Sequence, residues 1–308
     1  GLRSTYNNIG IIYTEWNDLE KALQYFKKNL KLETEYSEPK LTCSILLNIG
    51  RVYSQLNDNH KALQYYKESL SISQKNKLLY DESISLLNIG CRYSILNETE
   101  KAEEYLLKAI KINESINNIS CLVNSYANLS ELKAGAGQYE EALSFLNKAL
   151  CYAEKLDESA KIANIYLSFA KIYKKTDNDT YQEMYLHKCV SLAEPNGCRS
   201  IALASYTMIA ELYEKKQDYK ASLLYYKKLQ KIKDYLNDEK RLRVIHSILT
   251  KLEVERTERE KERYRKKALE LEKQNRLMAV RNIFDKLLNR EGYNKKHFIV
   301  FQSEEMNE

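Results

Sequence analysis

Proline is nearly missing from this sequence, with two residues in 308, and glycine is sparse at eight. Sheet-rich chains of this length need many turn residues. The scarcity therefore argues against a strand-dense architecture and favours long helices joined by short turns. No apolar run of about eighteen residues occurs, so no segment is a candidate membrane-spanning helix, and no signal-peptide pattern is present. The chain opens on Gly1 and its first repeat begins at once, which reads as a piece of a longer chain. Charge of one sign is nowhere gathered. The net +6 comes from 49 basic and 43 acidic residues mixed along the whole length, which argues against a nucleic-acid partner.

Metal-ligand spacing is also missing. The six cysteines, Cys43, Cys91, Cys121, Cys151, Cys189 and Cys198, form no CxxC pair, and His60, His187, His246 and His297 lie far apart. They read as thiols and imidazoles of a reducing, cytoplasmic compartment, with no metal and no cofactor. A glycine-rich phosphate loop and a nucleophile motif are absent too, so the chain reads as a non-enzyme.

What is abundant is periodic. "YNNIG" (6–10) is followed by "LLNIG" at 46–50 and again at 86–90. Aligned on this asparagine, a column runs Asn8, Asn48, Asn88, Asn128, Ser168 and Met208, forty residues apart at each step. Two places on stand small residues: Gly10, Gly50, Gly90, Ser130, Ala170 and Ala210. Three further on stand Tyr13, Tyr53, Tyr93, Lys133, Tyr173 and Tyr213. Ala22, Ala62, Ala102 and Ala142 form a later column, where repeat five carries Gln182 and repeat six is expected to reach Ala221 after losing one residue. Leu46, Ile49, Gly50 and Tyr53 share one helical stripe. A polar turn such as "QLND" or "ILNE" separates each such helix from a second one carrying the alanine. Each repeat is thus a helix hairpin. A single hairpin cannot bury its apolar face alone, so the hairpins must stack into a solenoid. The fold class is all-α: an α-solenoid of about six hairpins followed by a long C-terminal helix.

The order aromatic, aliphatic, small, tyrosine, alanine, aromatic resembles the tetratricopeptide repeat, most closely in "YNNIGIIYTEWNDLEKALQYFKKNL" (6–30) and "LLNIGRVYSQLNDNHKALQYYKESL" (46–70). The likeness covers about 1–235, with repeat five (166–190) departing most. Its period of forty exceeds the family's usual 34, which adds roughly 9 Å of helix per hairpin and implies a deeper groove. Such long repeats are similar to those of kinesin light chains and of bacterial peptide-sensing regulators. In repeat two, Ser44, Asn48, Arg51 and Gln55 follow i, i+4, i+7, i+11 on the side away from the core stripe. The resemblance implies that this face lines a concave groove. Asn8, Asn48, Asn88 and Asn128 would then form a ladder, with Ser44, Arg51 and Lys171 beside it. An amide offers both donors and an acceptor and can pair with the backbone of an extended peptide; it can equally cap a neighbouring helix or meet water. The family's carboxylate clamp is absent, because Asn7 and Ile11 hold its places.

Three segments are expected: the solenoid at 1–235, a charged helix at 236–290 and a tail at 291–308. In the second, Glu255 with Arg259 and Glu262 with Lys266 are spaced as favourable i, i+4 pairs. A weak heptad runs through Ile245, Ile248, Leu252, Leu269, Val280, Ile283 and Leu287. A capping helix leading to a homodimer and a solvated lone helix both fit it. In the tail, "HFIVF" (297–301) reads as a short strand. "FDKLLNREGYN" (284–294) is similar to the opening motif of diguanylate cyclase domains, but lacks its threonine-glycine and the cyclase signature. The expected function is a protein- or peptide-binding scaffold, the sensory or interaction part of a bacterial signalling protein. The alternative is the regulatory module of a larger enzyme such as a diguanylate cyclase or histidine kinase.

Overall fold

The computed structural model describes the backbone of residues 2–32 and 38–290, and within these the side chains of residue 2, of 239–255, of 258 and of 287–290 are not described. The strand expected at 297–301 therefore lies outside the described residues, as do the side chains of Ile245, Ile248, Leu252 and Leu287. The described chain is helical throughout: α1 (Leu2–Glu15), α2 (Leu19–Lys31), α3 (Pro39–Gln55), α4 (Asn59–Lys75), α5 (Leu79–Ile95), α6 (Thr99–Ser115), α7 (Ile119–Gly135), α8 (Tyr139–Leu156), α9 (Ser159–Lys175), α10 (Asp179–Ala193), α11 (Arg199–Lys215) and α12 (Tyr219–Arg290). Contacts divide it into two units, Gly1–Arg241 and Leu242–Glu308.

In the first unit a helix begins every twenty residues, not only every forty. The reason is a turn repeated at the same interval. Asn17, Asn57, Lys77, Asn97, Asn117, Gly137, Asp157, Asp177, Gly197 and Gln217 all have positive φ; position 37 lies outside the described residues. At Asn57 the amide donates to the Ser54 carbonyl at 3.1 Å, and the Asp58 amide reaches back to the Tyr53 carbonyl at 2.9 Å. This pair of backward bonds satisfies carbonyls that the helix end leaves open. Asp58 is then also the N-cap of the next helix, its carboxylate accepting from the Lys61 amide at 3.1 Å. Asp18, Asn118, Asn178 and Asp218 cap in the same way. Three residues thus end one helix and start the next, and the additional length of each repeat goes into helices of mostly seventeen residues.

Packing within a hairpin turns on the small column. A Cβ built on Gly10 would lie 2.5 Å from Phe26 Cε1, and one on Gly50 would lie 2.7 Å from Tyr66 Cδ1. The ring of the second helix therefore rests on bare backbone of the first. In repeats four and five the first helix carries a side chain and the second a leucine, Ser130 with Leu146 and Ala170 with Leu186, both leucines fully buried; repeat three sets Leu106 against Gly90, and repeat six carries Ala210 with the exposed Tyr226. Ser130 also donates to the Ala142 carbonyl at 2.8 Å. The alanine column is fully buried at Ala22, Ala62, Ala102 and Ala142. In repeat six its place is taken by Ser222, 4% exposed, and not by Ala221. No residue has been lost, because the turn at Gln217 keeps the interval.

The tyrosine column stacks on a ring twelve residues later: Tyr13 on Tyr25, Tyr53 on Tyr65 and Tyr93 on Tyr105, each with centroids 5.5 Å apart. Lysines lie over these rings, Lys61 5.3 Å from Tyr53 and Lys101 5.3 Å from Tyr93, so part of the basic excess serves the repeat surface. Repeat four breaks the column with Lys133. Its side chain is buried along its length and its ammonium is held by Glu103 at 2.7 Å and Glu141 at 3.2 Å, which compensates for its desolvation. Two hydrophobic clusters, sharing Tyr166 and Tyr185, carry the core along the stack.

The helix α12 departs from the pattern. Leu236, Asn237 and Asp238 repeat the Leu-Asn-Asp of 56–58, yet the helix runs through them to Arg290. In the second unit Lys266 pairs with Glu262 and Arg276 with Glu272, both on an exposed surface.

Gly50→Ala should destabilise the chain by about 1–3 kcal/mol, the usual range for overpacking, while Gly50→Ala with Tyr66→Leu regains part of that. Gly135→Ala, where a Cβ meets nothing within 4 Å, should stabilise by about 0.5–1 kcal/mol; urea unfolding midpoints check all three. Burial and the Glu114 and Glu194 carboxylates push the Tyr126 and Tyr206 phenols up, and the Glu183 carboxylate followed by burial pushes Tyr213 up. The unfolded chain loses these protons near the ordinary ~10, the folded chain only above it, so stability is full below that pH and falls as pH rises beyond it. Unfolding midpoints at stepped pH, read with tyrosinate absorbance, should show a late ionisation phase that coincides with unfolding. Ionisation of every tyrosine in a single phase near pH ~10, with the fold intact, would contradict it.

Candidate peptide-binding groove

Because most of the described turns span three residues and reverse the chain, odd-numbered helices run parallel to one another, as do even-numbered ones. Each of α1, α3, α5, α7 and α9 touches the next odd-numbered helix, and the even-numbered helices make no comparable contact. The odd helices are therefore the inner wall of a curved stack, and their surface away from the core lines a trough. Its floor is apolar at Leu47, Leu87 and Leu167, where the last two are buried. Hollows of about 660 Å³ over α8 and about 330 Å³ beside His60 and Tyr93 involve the even-numbered helices instead.

The asparagine column divides into two kinds. Asn48 donates its amide to the Asn7 side-chain oxygen at 3.1 Å, and Asn128 bonds the carbonyl of Asn124 in its own helix at 2.8 Å. Asn8 and Asn88 make no side-chain hydrogen bond among the described residues, and Asn8 is exposed. Ser44 is half-buried on the same face, and Arg51 and Lys171 are exposed. All seven sequence-identified residues lie on odd-numbered helices, in repeats one to five.

Several groove groups were not singled out from sequence. Asn7 is the partner of Asn48, 41 residues away. The same offset joins Lys161 to Ser120 at 2.7 Å and Lys175 to the Ala134 carbonyl at 3.5 Å. An offset of the period plus one marks residues that face each other on successive odd helices, a signal a column-by-column alignment hides. Asn124 and Asn164 extend the Ser44 column as exposed amides.

The ionic groups sort by commitment. Lys174 pairs with Glu211 at 2.6 Å, Lys215 with Asp177 at 2.6 Å and Asp179 at 2.8 Å, and Glu214 accepts from the Tyr226 hydroxyl at 3.3 Å. Arg51, Glu131 and Lys171 have no ion pair or hydrogen bond among the described residues. Cys91 shares their column; burial pushes its thiol up to about 11, with Glu131 adding to the shift. Among the described residues no three His, Cys, Asp or Glu are grouped to hold a metal, and no helix is long and apolar enough to cross a membrane.

Models of the tetratricopeptide repeat match residues 1–75, 41–115, 123–155 and 203–234. No curated protein matches the chain in sequence. Among solved structures, the apo form of RapI has a TM-score of 0.62 at 19% identity, over 77% of this chain and 84% of that one. A Rap conjugation gene regulator of the plasmid pLS20, in complex with the Phr* peptide, gives 0.56 at 15% identity, over 74% of each chain. A signal transduction ATPase with numerous domains from Pyrococcus horikoshii, which carries a tetratricopeptide repeat sensor, gives 0.62 at 19% identity, over 78% of this chain and 38% of its own. At these identities the likeness is one of fold.

Thiol reactivity should follow the geometry. Alkylation at neutral pH should modify exposed Cys151 first and leave Cys91 and the buried Cys43 and Cys189 untouched until the chain is unfolded. Peptide mass mapping after a timed quench reads the order, and early modification of Cys91 would show that the trough floor is more open than described.

Proposed function

The chain belongs to the tetratricopeptide repeat family, and from that membership we propose that it binds an extended peptide, or an extended segment of a protein, along the trough of its odd helices. The observation that carries this reading is the pair of uncommitted amides, Asn8 and Asn88, on the same wall as Asn48 and Asn128. An amide pointing into an open trough can both donate to and accept from a peptide backbone, whatever the peptide's side chains are. Asn48 and Asn128 make only one bond each within the chain, which leaves capacity for a ligand. The structure of a Rap regulator with the Phr* peptide supports a peptide ligand for this fold. We assign the chain a binding role and no catalytic one.

The finer reading is the sensory or interaction part of a bacterial signalling protein, located in the cytoplasm. Residues 1–235 would form the binding module and 236–290 a linker helix. Leu269, Leu277, Val280, Ile283 and Phe284 are exposed along that helix, and a second copy pairing through them would make the protein a homodimer. The regulatory module of a larger enzyme, such as a diguanylate cyclase or histidine kinase, is the second reading. It is favoured by the Pyrococcus horikoshii ATPase, in which this fold occupies only part of a longer chain.

Asn48→Ala combined with Asn88→Ala should weaken peptide binding by about fivefold or more, taking about 0.5–1.5 kcal/mol for each hydrogen bond lost. The thermal midpoint should stay near wild type, since both side chains are only half-buried. Titration of a peptide selected on the wild-type chain checks it, and unchanged affinity would remove the ladder from the site.

A further inference from the structure

The uncommitted charges of the trough carry an order. Position three after the ladder asparagine is Ile11, Arg51, Cys91, Glu131, Lys171 and Glu211 in successive repeats. Glu211 is consumed by Lys174. Lys175, Lys161 and Arg92 each have a partner, the Ala134 carbonyl, Ser120 with Glu158, and Asn59. Lys40 acts on the buried Asp81 carboxyl 41 residues on, and Glu15, with no ion pair or hydrogen bond among the described residues, lies at the end of α1. In the middle of the trough the unpaired groups are therefore Arg51, Glu131 and Lys171, all exposed and all in one column, with the half-buried Cys91 between the first two. Glu131 and Lys171 stand one repeat apart and do not pair with each other. The fold has neutralised their neighbours and left these three.

We propose that this column reads the charge order of the ligand: an acidic side chain at Arg51, an apolar one at Cys91, a basic one at Glu131 and an acidic one at Lys171. The proposal rests on the groove reading above and names the class of peptide it takes. Spacing follows from geometry. Successive odd helices lie ~10 Å apart, the usual distance for packed helices, and an extended chain in the polyproline-II conformation advances about 3.1 Å per residue with three residues per turn, so that every third side chain faces the same column. One repeat therefore corresponds to about three ligand residues. The ligand is an extended segment of about ten residues, with acid, apolar, base and acid at every third position. A basic side chain opposite Arg51 or Lys171, or an acidic one opposite Glu131, is repelled, so the column discriminates as well as attracts. The asparagines grip the backbone of any extended chain, and the charges choose among them.

The test is to pan a random twelve-residue peptide library on the full chain, then to titrate the synthetic consensus peptide. The expected consensus carries acid, apolar, base and acid at intervals of about three residues, in one chain direction. Glu131→Lys should weaken that peptide about tenfold, and replacing the peptide's basic residue by glutamate should restore binding to this variant alone. Arg51→Glu and Lys171→Glu should each require a base in place of the matching acid. These side chains are exposed, so the variants fold, and circular dichroism verifies it. A consensus without this order, or affinity unmoved by all three reversals, overturns the proposal. If affinity falls in the Asn48→Ala/Asn88→Ala chain but not in the reversals, the groove reading stands and the charge order falls. If no peptide is enriched, both fall.

Discussion

The three-residue turn is the constraint on which the rest depends. It places one residue in the left-handed region, closes the preceding helix with two backward hydrogen bonds and caps the next, all within the span of Leu56, Asn57 and Asp58. Because the same device joins hairpins to each other as well as helices within a hairpin, every helix is antiparallel to the next. Two parallel walls result, and the more tightly packed wall becomes the inside of the curve. The trough is thus a consequence of turn chemistry repeated at a fixed interval, with no element dedicated to forming it.

Close approach makes the interval useful. Phe26 and Tyr66 can rest on backbone only because Gly10 and Gly50 lack a Cβ, and repeats with Ser130 or Ala170 answer with the slimmer Leu146 and Leu186. In these four repeats volume is shared out across the pair rather than fixed at either position, while Gly90 with Leu106 and Ala210 with Tyr226 depart from it. The same compensation explains repeat four, where Lys133 stands in the tyrosine column. A buried lysine there is tolerable because Glu103 and Glu141 come from the two second helices on either side of it. Such exchanges let the surface of each repeat vary while the spacing does not.

That freedom is what the trough uses. The wall is uniform in the residues that hold it, a floor of leucines and a row of amides, and varied in the one column that faces outward from them. Lys174 and Glu211, and Lys215 with its two aspartates, tie successive repeats together. Arg51, Glu131 and Lys171 tie nothing among the described residues. A solenoid can hold an extended chain through a repeating backbone contact and still be selective, provided that a few side chains stay out of its own bonding.

The sequence by itself determined the all-α class, the helix hairpins and the forty-residue register. Each of these follows from local periodicity, which a single chain displays in full. It hid the twenty-residue turn interval, because Lys77 and Gln217 do not advertise a left-handed position as Asn and Gly do, and it misplaced the small residue of repeat six at Ala221 instead of Ser222. Only the tertiary structure decided which side chains are already spoken for. Asn48 meets Asn7 and Lys174 meets Glu211 across neighbouring repeats, and such pairings depend on which helices touch, not on spacing within any one of them. The triplet at 236–238 makes the same point: Leu-Asn-Asp turns the chain at 56–58 and continues as helix at 236–238, so those three residues do not fix the turn by themselves; a left-handed position gives up helical hydrogen bonds, and at 56–58 the packing of α4 against α3 offsets that loss.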